Sequence, residues 1–393
     1  MTAHFTRGYL IRSWGVSAKP SDGRRASSRK TRTRCTISPD KMAIQNNRVK
    51  LESIEAGRGI AAVAVVLYHA ARHVGKALGA PELVTIFQFG HAGVDFFFVI
   101  SGFIILFVHY RDVGRPERLG HYVGRRLTRV MPTYWVALTL TVLLGLSGSH
   151  ALPAFGQAIW SILLLPSHHD PILGIAWTLR YEVMFYAVFS LLILNRNAGL
   201  AILAVWFLTV LMAAALGYKQ TFIPESLYGA FNLEFFMGMG AAWWLRNRVV
   251  RKPLSIMTGG IALLAIAAAI EDAHLIDGYA DAARMAYGIP ATLVVIGAAE
   301  ASRSRAVTIP VVLRACGSAS YSIYLFQFVF IGLMWKALVR SGWSASVPAI
   351  CVFLLLSFAG VCGGIATSRG VEYPLIRFSR GERFKFLRAA TPP

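Results

Sequence analysis

The chain has 393 residues, of which 55% are hydrophobic and 15% are charged, and its formal net charge is +21. Soluble proteins of this size carry about a quarter charged residues, so this composition excludes an ordinary soluble globular protein and indicates a polytopic membrane protein. The positive charge would also fit nucleic-acid binding, but the basic residues lie between apolar segments, where a cytoplasmic membrane face would place them, so we expect no nucleic-acid partner.

Residues 1–50 differ from the rest of the chain because they are basic and show no helical periodicity. Residues 1–41 are rich in Arg, Lys, Ser and Thr and poor in acidic residues. This composition fits a disordered arm or an organelle transit peptide, and a true start at Met42 is a third interpretation that the sequence leaves open. We assign no function to this arm and place the transmembrane domain at residues 51–378.

The first apolar segment opens with Arg58 and closes with His69. At about 100° per residue, the eleven-residue step between them returns both side chains to nearly one face of a helix, roughly 16 Å apart along its axis. A charge in hydrocarbon costs several kcal/mol unless it is paired or hydrated, so an aligned ionisable pair marks a candidate site. The alternative is that Arg58 extends to the interface from a helix end and His69 is a hydrogen-bonded interior residue.

Apolar segments recur through nearly the whole chain, and ten of them are long enough to cross a membrane. They are residues 55–74, 89–109, 131–148, 176–194, 198–216, 228–245, 255–271, 285–301, 317–337 and 347–368. An eleventh segment, 155–166, is too short to span comfortably and lies between prolines, so we expect it to be re-entrant or interfacial. The sequence predicts an all-α polytopic membrane protein with about ten transmembrane helices.

Basic residues between these segments predict the orientation. With the N-terminus inside, the inner loops and the C-terminal tail contain twenty Lys and Arg residues, whereas the outer loops contain four. Because Lys and Arg favour cytoplasmic loops, we expect both termini in the cytoplasm, with 379–393 as a basic tail on the inner leaflet. This orientation predicts a multi-pass protein of the cell inner (plasma) membrane.

Three carboxylates lie in the outer halves of predicted helices, namely Asp95, Glu182 and Glu234. At this depth they converge with His69, so the four side chains are candidates for one polar cavity, although sequence gives depth and not direction around each helix. For Asp95 the alternative is structural, because neighbouring glycines allow close helix packing.

The loop before the third predicted helix contains Arg125, Arg126 and Arg129. Spacings of three and four residues place Arg125 or Arg126 beside Arg129 on one face of a helix. Anionic lipid headgroups are one explanation of this cationic patch. The other is a phosphate site, because guanidinium groups bind phosphates bidentately.

No residue pattern demands a metal. The outer connection contains His150, His168 and His169, but their spacing is not that of a metal site. The four cysteines show neither metal nor redox spacing. We therefore expect no metal.

Six segments in order resemble the acyltransferase-3 family of membrane acyltransferases, which modify bacterial surface polysaccharides, lipopolysaccharide, nodulation signals and some small molecules. The resemblance runs from about residue 51 to 378. It rests on Arg58-Gly-Ile-Ala-Ala with Tyr68-His69, Gly93-Val-Asp95 through Ser101-Gly102-Phe, Arg125-Arg126 with Arg129, Pro132 and Tyr134, Trp177-Thr-Leu with Glu182, Ser320-Tyr-Ser-Ile-Tyr324-Leu, and Glu372-Tyr-Pro374.

The resemblance implies an integral membrane enzyme that takes an acyl group, commonly acetyl, from cytoplasmic acyl-CoA and delivers it to a hydroxyl of a glycan. Arg58 and His69 match the catalytic pair of that family. Gln327 is a departure, because many members carry a histidine there. Acyl-CoA would be the donor substrate, with no bound cofactor and with membrane lipids and a glycan acceptor as partners.

The mechanism that follows assigns a task to each group of residues. Arg125, Arg126 and Arg129 would hold the CoA phosphates, and Arg58 would guide the pantetheine or the thioester. His69 would be the general base for the acceptor hydroxyl, with Glu182 or Asp95 orienting its imidazole, and a covalent acyl-histidine is the alternative. The competing hypothesis is a secondary transporter or flippase, in which Arg58, His69, Asp95 and Glu182 form a proton relay.

Overall fold

The computed structural model describes residues 51–146, 155–218 and 222–379. Within these ranges all regular structure is helical, which confirms the all-α prediction. The N-terminal arm 1–50, with the alternative start at Met42, lies outside the described residues, as do His150 and positions 380–393 of the tail.

The described residues form sixteen α-helices. In chain order they are α1 (Glu52–Leu78), α2 (Pro81–Phe87), α3 (Gly93–His109), α4 (Leu119–Leu146), α5 (Phe155–Leu163), α6 (Trp177–Leu194), α7 (Arg196–Ala215), α8 (Glu225–Tyr228), α9 (Phe231–Asn247), α10 (Pro253–Asp272), α11 (Asp281–Arg303), α12 (Val311–Ser318), α13 (Ser320–Arg340), α14 (Trp343–Ser346), α15 (Ala349–Thr367) and α16 (Tyr373–Ser379).

Each of the ten predicted spans corresponds to one long helix: α1, α3, α4, α6, α7, α9, α10, α11, α13 or α15. Nine spans in the described residues are long and apolar enough to cross a membrane. The remaining helix, α9, has 17 residues and a length of about 25 Å, at the lower limit for crossing a bilayer. The protein is a polytopic membrane protein, as predicted.

The largest difference from the predicted bounds is at α4. α4 begins at Leu119 rather than at 131, so the three arginines of the cationic patch lie on the spanning helix itself. Arginine is a good helix former, and the apolar pattern marks only the part of a helix that lies in lipid. The segment 155–166 contains the short helix α5, which is too short to span.

The two ends of the helix bundle differ in charge. One end, where α1 starts and α3 stops, carries most of the arginines, among them Arg111, Arg115 and Arg196, and we call it the basic end. The opposite end, where α1 stops, carries Glu225 and Asp281, and we call it the acidic end. The predicted orientation would place the basic end in the cytoplasm, and it stays a prediction.

Helices α1 and α3 are central, whereas α7 and α10 are peripheral. α3 packs most extensively against α9, and the close approach depends on two glycines. A Cβ on Gly102 would lie 2.1 Å from the carbonyl oxygen of Phe235, and one on Gly238 would lie 2.0 Å from that of Val99. These two helices therefore form a tightly fixed pair, and Asp95 and Glu234 belong to it.

Candidate active site

One small cavity of about 60 Å³ lies within the helix bundle. Its walls come from α1, α3, α4, α6 and α13, and its polar lining consists of Arg58, Ser101, Arg129, Thr178, Glu182, Ser320, Tyr321 and Tyr324. We call it the Arg58 cavity. Five of the six segments that resemble the family meet in its walls, although they are distant in sequence.

Arg58 enters the cavity from α1 without a partner of its own. Its Nε is buried and has no hydrogen-bond partner, and no carboxylate of the described residues lies within 4.0 Å of its guanidinium. The charged groups that act on it are Arg129, Glu182 and Glu372. A guanidinium with unused donors beside a second guanidinium is suited to binding an anion or a polarised carbonyl oxygen.

Glu182 is held in place by its own helix and by α3. Tyr186, one turn further along α6, donates a short hydrogen bond to Glu182 Oε1. Ser101 Oγ donates to the same oxygen at 3.4 Å. The carboxylate is therefore fixed in the cavity wall, with its charge facing the two arginines across the cavity.

The three arginines of α4 occupy three different environments. Arg129 lines the Arg58 cavity, whereas the guanidinium of Arg126 lies over the rings of Tyr122 and Tyr186, 5.9 Å and 5.3 Å from their centroids. Arg125 is exposed. The predicted patch is thus a series leading from the surface into the cavity.

The structure also shows a second basic pocket, which the sequence analysis did not single out. It measures about 580 Å³ and is lined by Tyr110, Arg111, Arg115, Arg196 and Trp243 among others. In the sequence these arginines are visible only as charged residues of the loops. Their convergence requires α3, α7 and α9 to meet at the basic end.

His69 lies outside the Arg58 cavity, at the other end of the same helix face. Its half-buried ring contacts Tyr68 and Phe328, with centroids 4.8 Å and 4.6 Å away. Neither Glu182 nor Asp95 forms a hydrogen bond or ion pair with it in this structure. Both carboxylates have other partners, so neither is placed to orient its imidazole here.

Arg58 and His69 share the unbroken helix α1, which gives the expected axial separation of roughly 16 Å. Apolar and aromatic side chains fill the space between them. Val65 of α1 packs in one cluster with Tyr324 and Phe97, whose rings are 5.7 Å apart. Arg58 and His69 therefore lie on one face of α1 but do not share a cavity.

Asp95 lies in a separate, fully buried cluster. Arg284 of α11 donates a short hydrogen bond to Asp95 Oδ1 and another to the carbonyl oxygen of Gly278. Its guanidinium also lies 4.4 Å from the ring centroid of Phe231. A buried carboxylate needs a partner, and the partner of Asp95 is a residue 189 positions away in the sequence.

Glu234 completes this cluster and faces Asp95. It is 0% exposed, and neither of its carboxylate oxygens has a donor in reach. Two facing carboxyl groups bond to each other when they share one proton, which also balances their charge against one guanidinium. His69, Asp95, Glu182 and Glu234 are therefore divided among three places and do not line one polar cavity.

A network at the acidic end was missed by the sequence analysis. His91 Nε2 lies 2.9 Å and 3.0 Å from the two oxygens of Glu271, and Tyr287 donates to the same carboxylate. The hydroxyls of Tyr68 and Tyr279 are 2.5 Å apart. The only available signal was a histidine and a glutamate at the ends of apolar segments.

Two motif residues of the family resemblance have clear contacts. Glu372 accepts hydrogen bonds from Ser322 at 2.6 Å and from Ser368 at 3.0 Å, which ties α13 to the π-helical turn after α15. Gln327 is fully buried and donates to the carbonyl oxygen of Tyr324 at 2.8 Å, while its Oε1 has no partner. Gln327 therefore supports the segment that lines the cavity.

The described residues contain no group of three or more His, Cys, Asp or Glu side chains able to hold a metal ion. The chemistry available in the Arg58 cavity is thus that of two guanidinium groups, one carboxylate and several hydroxyls. Such groups can bind and polarise an acyl carbonyl and its leaving group.

Comparison with known proteins identifies the family of the chain. The model of the acyltransferase-3 family, described as an acyltransferase domain, matches residues 51–369. The exopolysaccharide production protein ExoZ of Rhizobium meliloti (strain 1021) is 30% identical over 338 residues, which cover 81% of this chain and 96% of that protein. No solved structure matches the chain. Because the family match takes in every spanning helix, the chain belongs to the acyltransferase-3 family and is a membrane acyltransferase.

Proposed function

We propose that the enzyme moves an acyl group, acetyl foremost, from cytoplasmic acyl-CoA to a hydroxyl of a surface or exported polysaccharide. The relative that is named for exopolysaccharide production supports the class of acceptor. The charge asymmetry supports a cytoplasmic position of the basic end, because Lys and Arg favour cytoplasmic loops, and a cytoplasmic donor and an inner-membrane location belong to the same proposal.

The observation that carries the proposal is the Arg58 cavity. Two arginines without carboxylate partners, Arg58 and Arg129, lie there opposite the fixed carboxylate of Glu182. Arg126 and the exposed Arg125 continue the series toward the basic end along α4. The outer arginines would bind the CoA phosphates, and the inner two would hold the pantetheine arm and the thioester.

The cavity is too small for the donor in its present form. A volume of about 60 Å³ corresponds to roughly two water molecules. Binding of acyl-CoA must therefore displace side chains, and Phe97 and Tyr324 are those that separate Arg58 from His69. Their movement would let the thioester reach the imidazole.

His69 would then act as the general base. The acceptor oxygen attacks the thioester carbonyl, its proton passes to the imidazole, and the C–S bond breaks as CoA leaves as a thiolate that takes up a proton. The new ester remains on the glycan. An acyl-imidazole on His69 is the alternative, in which the histidine nitrogen attacks first and the acceptor hydroxyl then takes the acyl group.

The transporter hypothesis is less well supported. It required Arg58, His69, Asp95 and Glu182 to form a continuous relay, but the structure separates them into three places. Asp95 accepts a hydrogen bond from Arg284 and faces Glu234, and Glu182 accepts hydrogen bonds from Tyr186 and Ser101.

The test is acyl-CoA turnover by purified protein in lipid, with de-O-acylated glycan of the host as acceptor. Arg58→Ala and His69→Ala are compared with wild type and with Arg340→Ala and His121→Ala, which remove the same residue types from exposed positions. We expect transfer to fall at least about 100-fold in the first two variants and to remain in the controls. Transfer retained by His69→Ala would overturn the assignment of the base.

A further inference from the structure

A large cleft opens at the acidic end, away from the Arg58 cavity. It measures about 710 Å³, within the range of roughly 300–1,000 Å³ that is usual for ligand sites. The segment 167–174, the segment around α8 and the start of α11 form its walls. The first two walls are joined by His168, whose Nε2 lies 2.8 Å from the carbonyl oxygen of Phe222.

Arg180 gives this cleft hydrogen-bond donors without partners. The residue is 5% exposed, and its Nη1 donates to the carbonyl oxygen of His169 at 2.6 Å. Its Nε and Nη2 are buried, have no hydrogen-bond partner, and belong to a side chain that lines the cleft. Ser226, which is 6% exposed, likewise lines the cleft with an unpartnered hydroxyl. A buried donor without an acceptor is costly, so these groups indicate a ligand with oxygen acceptors.

Aromatic rings and carboxylates supply the rest of the lining. Trp177 and Tyr218 present rings, and Asp170, Glu225 and Asp281 present carboxylates. Sugars bind through this combination, because their C–H faces pack on aromatic rings while their hydroxyls donate to carboxylates and accept from guanidinium groups.

The charges in the cleft select among ligands. Three carboxylates face one guanidinium, so the cleft is negative when its histidines are neutral. An anionic headgroup or a uronic acid would be repelled, whereas a neutral polyhydroxyl compound would not.

The cleft also adjoins the site of His69. Tyr279 lines the cleft, and its hydroxyl is 2.5 Å from the hydroxyl of Tyr68. The ring of Tyr68 contacts that of His69 with centroids 4.8 Å apart. The contacts of Tyr279 and Tyr68 therefore connect a ligand in the cleft to the residue assigned as the base for the acceptor, although His69 itself does not line the cleft.

We propose that this cleft binds the acceptor of the reaction as a saccharide of neutral sugar residues, held between aromatic rings, carboxylates and Arg180. The proposal rests on the proposed function, because that function makes the bound saccharide the acceptor. The binding of neutral sugars can be tested without catalysis. It adds a substrate class and a site at the opposite end from the donor.

The experiment compares two double variants in lipid nanodiscs. Glu225→Gln with Asp281→Asn removes two carboxylates from the cleft, and Glu82→Gln with Asp272→Asn removes two exposed carboxylates elsewhere at the same end. The probes are neutral oligosaccharides prepared from host exopolysaccharide by mild alkaline removal of acyl groups, partial acid hydrolysis of the glycosidic bonds and removal of charged fragments by anion exchange. We expect the affinity to fall about 10-fold or more in the cleft variant and to stay within about 2-fold in the control.

A second pair of variants tests the aromatic contact. Tyr218→Ala removes an exposed ring, and Tyr218→Phe keeps it. Weaker binding in the alanine variant, with recovery in the phenylalanine variant, is expected for stacking. Equal binding by the cleft carboxylate variant and its control, or tighter binding of an oligogalacturonate than of the neutral probe, would overturn the proposal.

Failure of this proposal can be told apart from failure of the proposed function. If the wild-type protein transfers acyl groups to glycan and the cleft variant has the same KM for the acceptor, only the cleft assignment is overturned. Binding of the neutral probe that depends on the cleft, together with no consumption of acyl-CoA, would support the saccharide site and overturn the donor assignment.

Discussion

Two groups of three charged residues lie within the helix bundle, one fully buried and one half-buried, and they differ in their contacts. In the first, Asp95 and Glu234 enclose Arg284, whose donors also reach a backbone carbonyl. In the second, Arg58 and Arg129 face Glu182 across a cavity, and the carboxylate bonds to a tyrosine and a serine instead.

The difference shows how a structural charge can be told from a functional one. The Asp95 cluster supplies its own counter-ion inside a tightly packed helix pair, so its charges are balanced without a ligand, although Arg284 Nε and Asp95 Oδ2 have no hydrogen-bond partner there. The Arg58 cavity keeps unpaired donors beside empty space, which folding alone would not favour. The predictions below test whether stability depends on the first group and activity on the second.

The largest expected effect is on folding and comes from Arg284→Leu. This change leaves two facing carboxyl groups buried without their guanidinium, so we expect a loss of about 3–5 kcal/mol in stability. Arg58→Leu is the matched control, with a loss below about 1 kcal/mol, because Arg58 has no ion pair to break. Thermal unfolding in detergent measures both, and equal losses would contradict the distinction.

The next effect is on activity and comes from Glu182→Gln. The amide oxygen can still accept from Tyr186 and Ser101, so the fold should persist while the charge facing Arg58 is lost. We expect acyl transfer to fall about 100- to 1,000-fold. Glu300→Gln is the control, since it alters a carboxylate paired with Arg303 at 3.1 Å outside the cavity. A similar loss of activity in the control would argue against a specific role for Glu182.

A smaller effect is expected from Gly102→Ala. The added methyl group would overlap the carbonyl oxygen of Phe235 and push apart α3 and α9, which hold Asp95 and Glu234. We expect a loss of about 1–3 kcal/mol in stability. In Gly240→Ala the methyl group meets no atom within 4 Å, so stability should stay the same or rise slightly. Destabilisation by both substitutions would show that stability depends on the flexibility of these helices and not on their close packing.

The smallest effect concerns the donor. Arg125→Ala removes an exposed guanidinium from the series on α4, and we expect the KM for acyl-CoA to rise about 2- to 5-fold, less at high salt. Arg115→Ala tests the second basic pocket in the same assay. A rise in KM for Arg115→Ala alone would move the CoA phosphates from α4 to that pocket.

The spanning helices were predictable because an apolar segment of sufficient length has few alternatives to a transmembrane helix. The alignment of Arg58 with His69 followed from helix geometry alone, and α1 is unbroken as that geometry requires. The start of α4 was not predictable from hydropathy, because its first two turns carry Arg125 and Arg126 and extend beyond the apolar region.

The grouping of the carboxylates could not be read from the sequence. Hydropathy gives the depth of Asp95, Glu182 and Glu234, but their grouping depends on the direction in which each helix faces. Asp95 and Arg284 meet only because α3 and α11 pack against each other. The outer cleft is likewise assembled from segments far apart in sequence, none of which contains a binding motif.

The unbroken helix α1 gives the enzyme a molecular ruler. Its backbone hydrogen bonds fix the distance between Arg58 and His69, so the two residues cannot approach each other to suit a shorter donor. Under the proposed function, a thioester on a carrier arm of matching length would reach the imidazole while the phosphates of the carrier stay with the outer arginines of α4. Thioesters of simple thiols lack such an arm, so they would be poor donors even where they bind. The small-molecule thioesters of the host would therefore not be consumed.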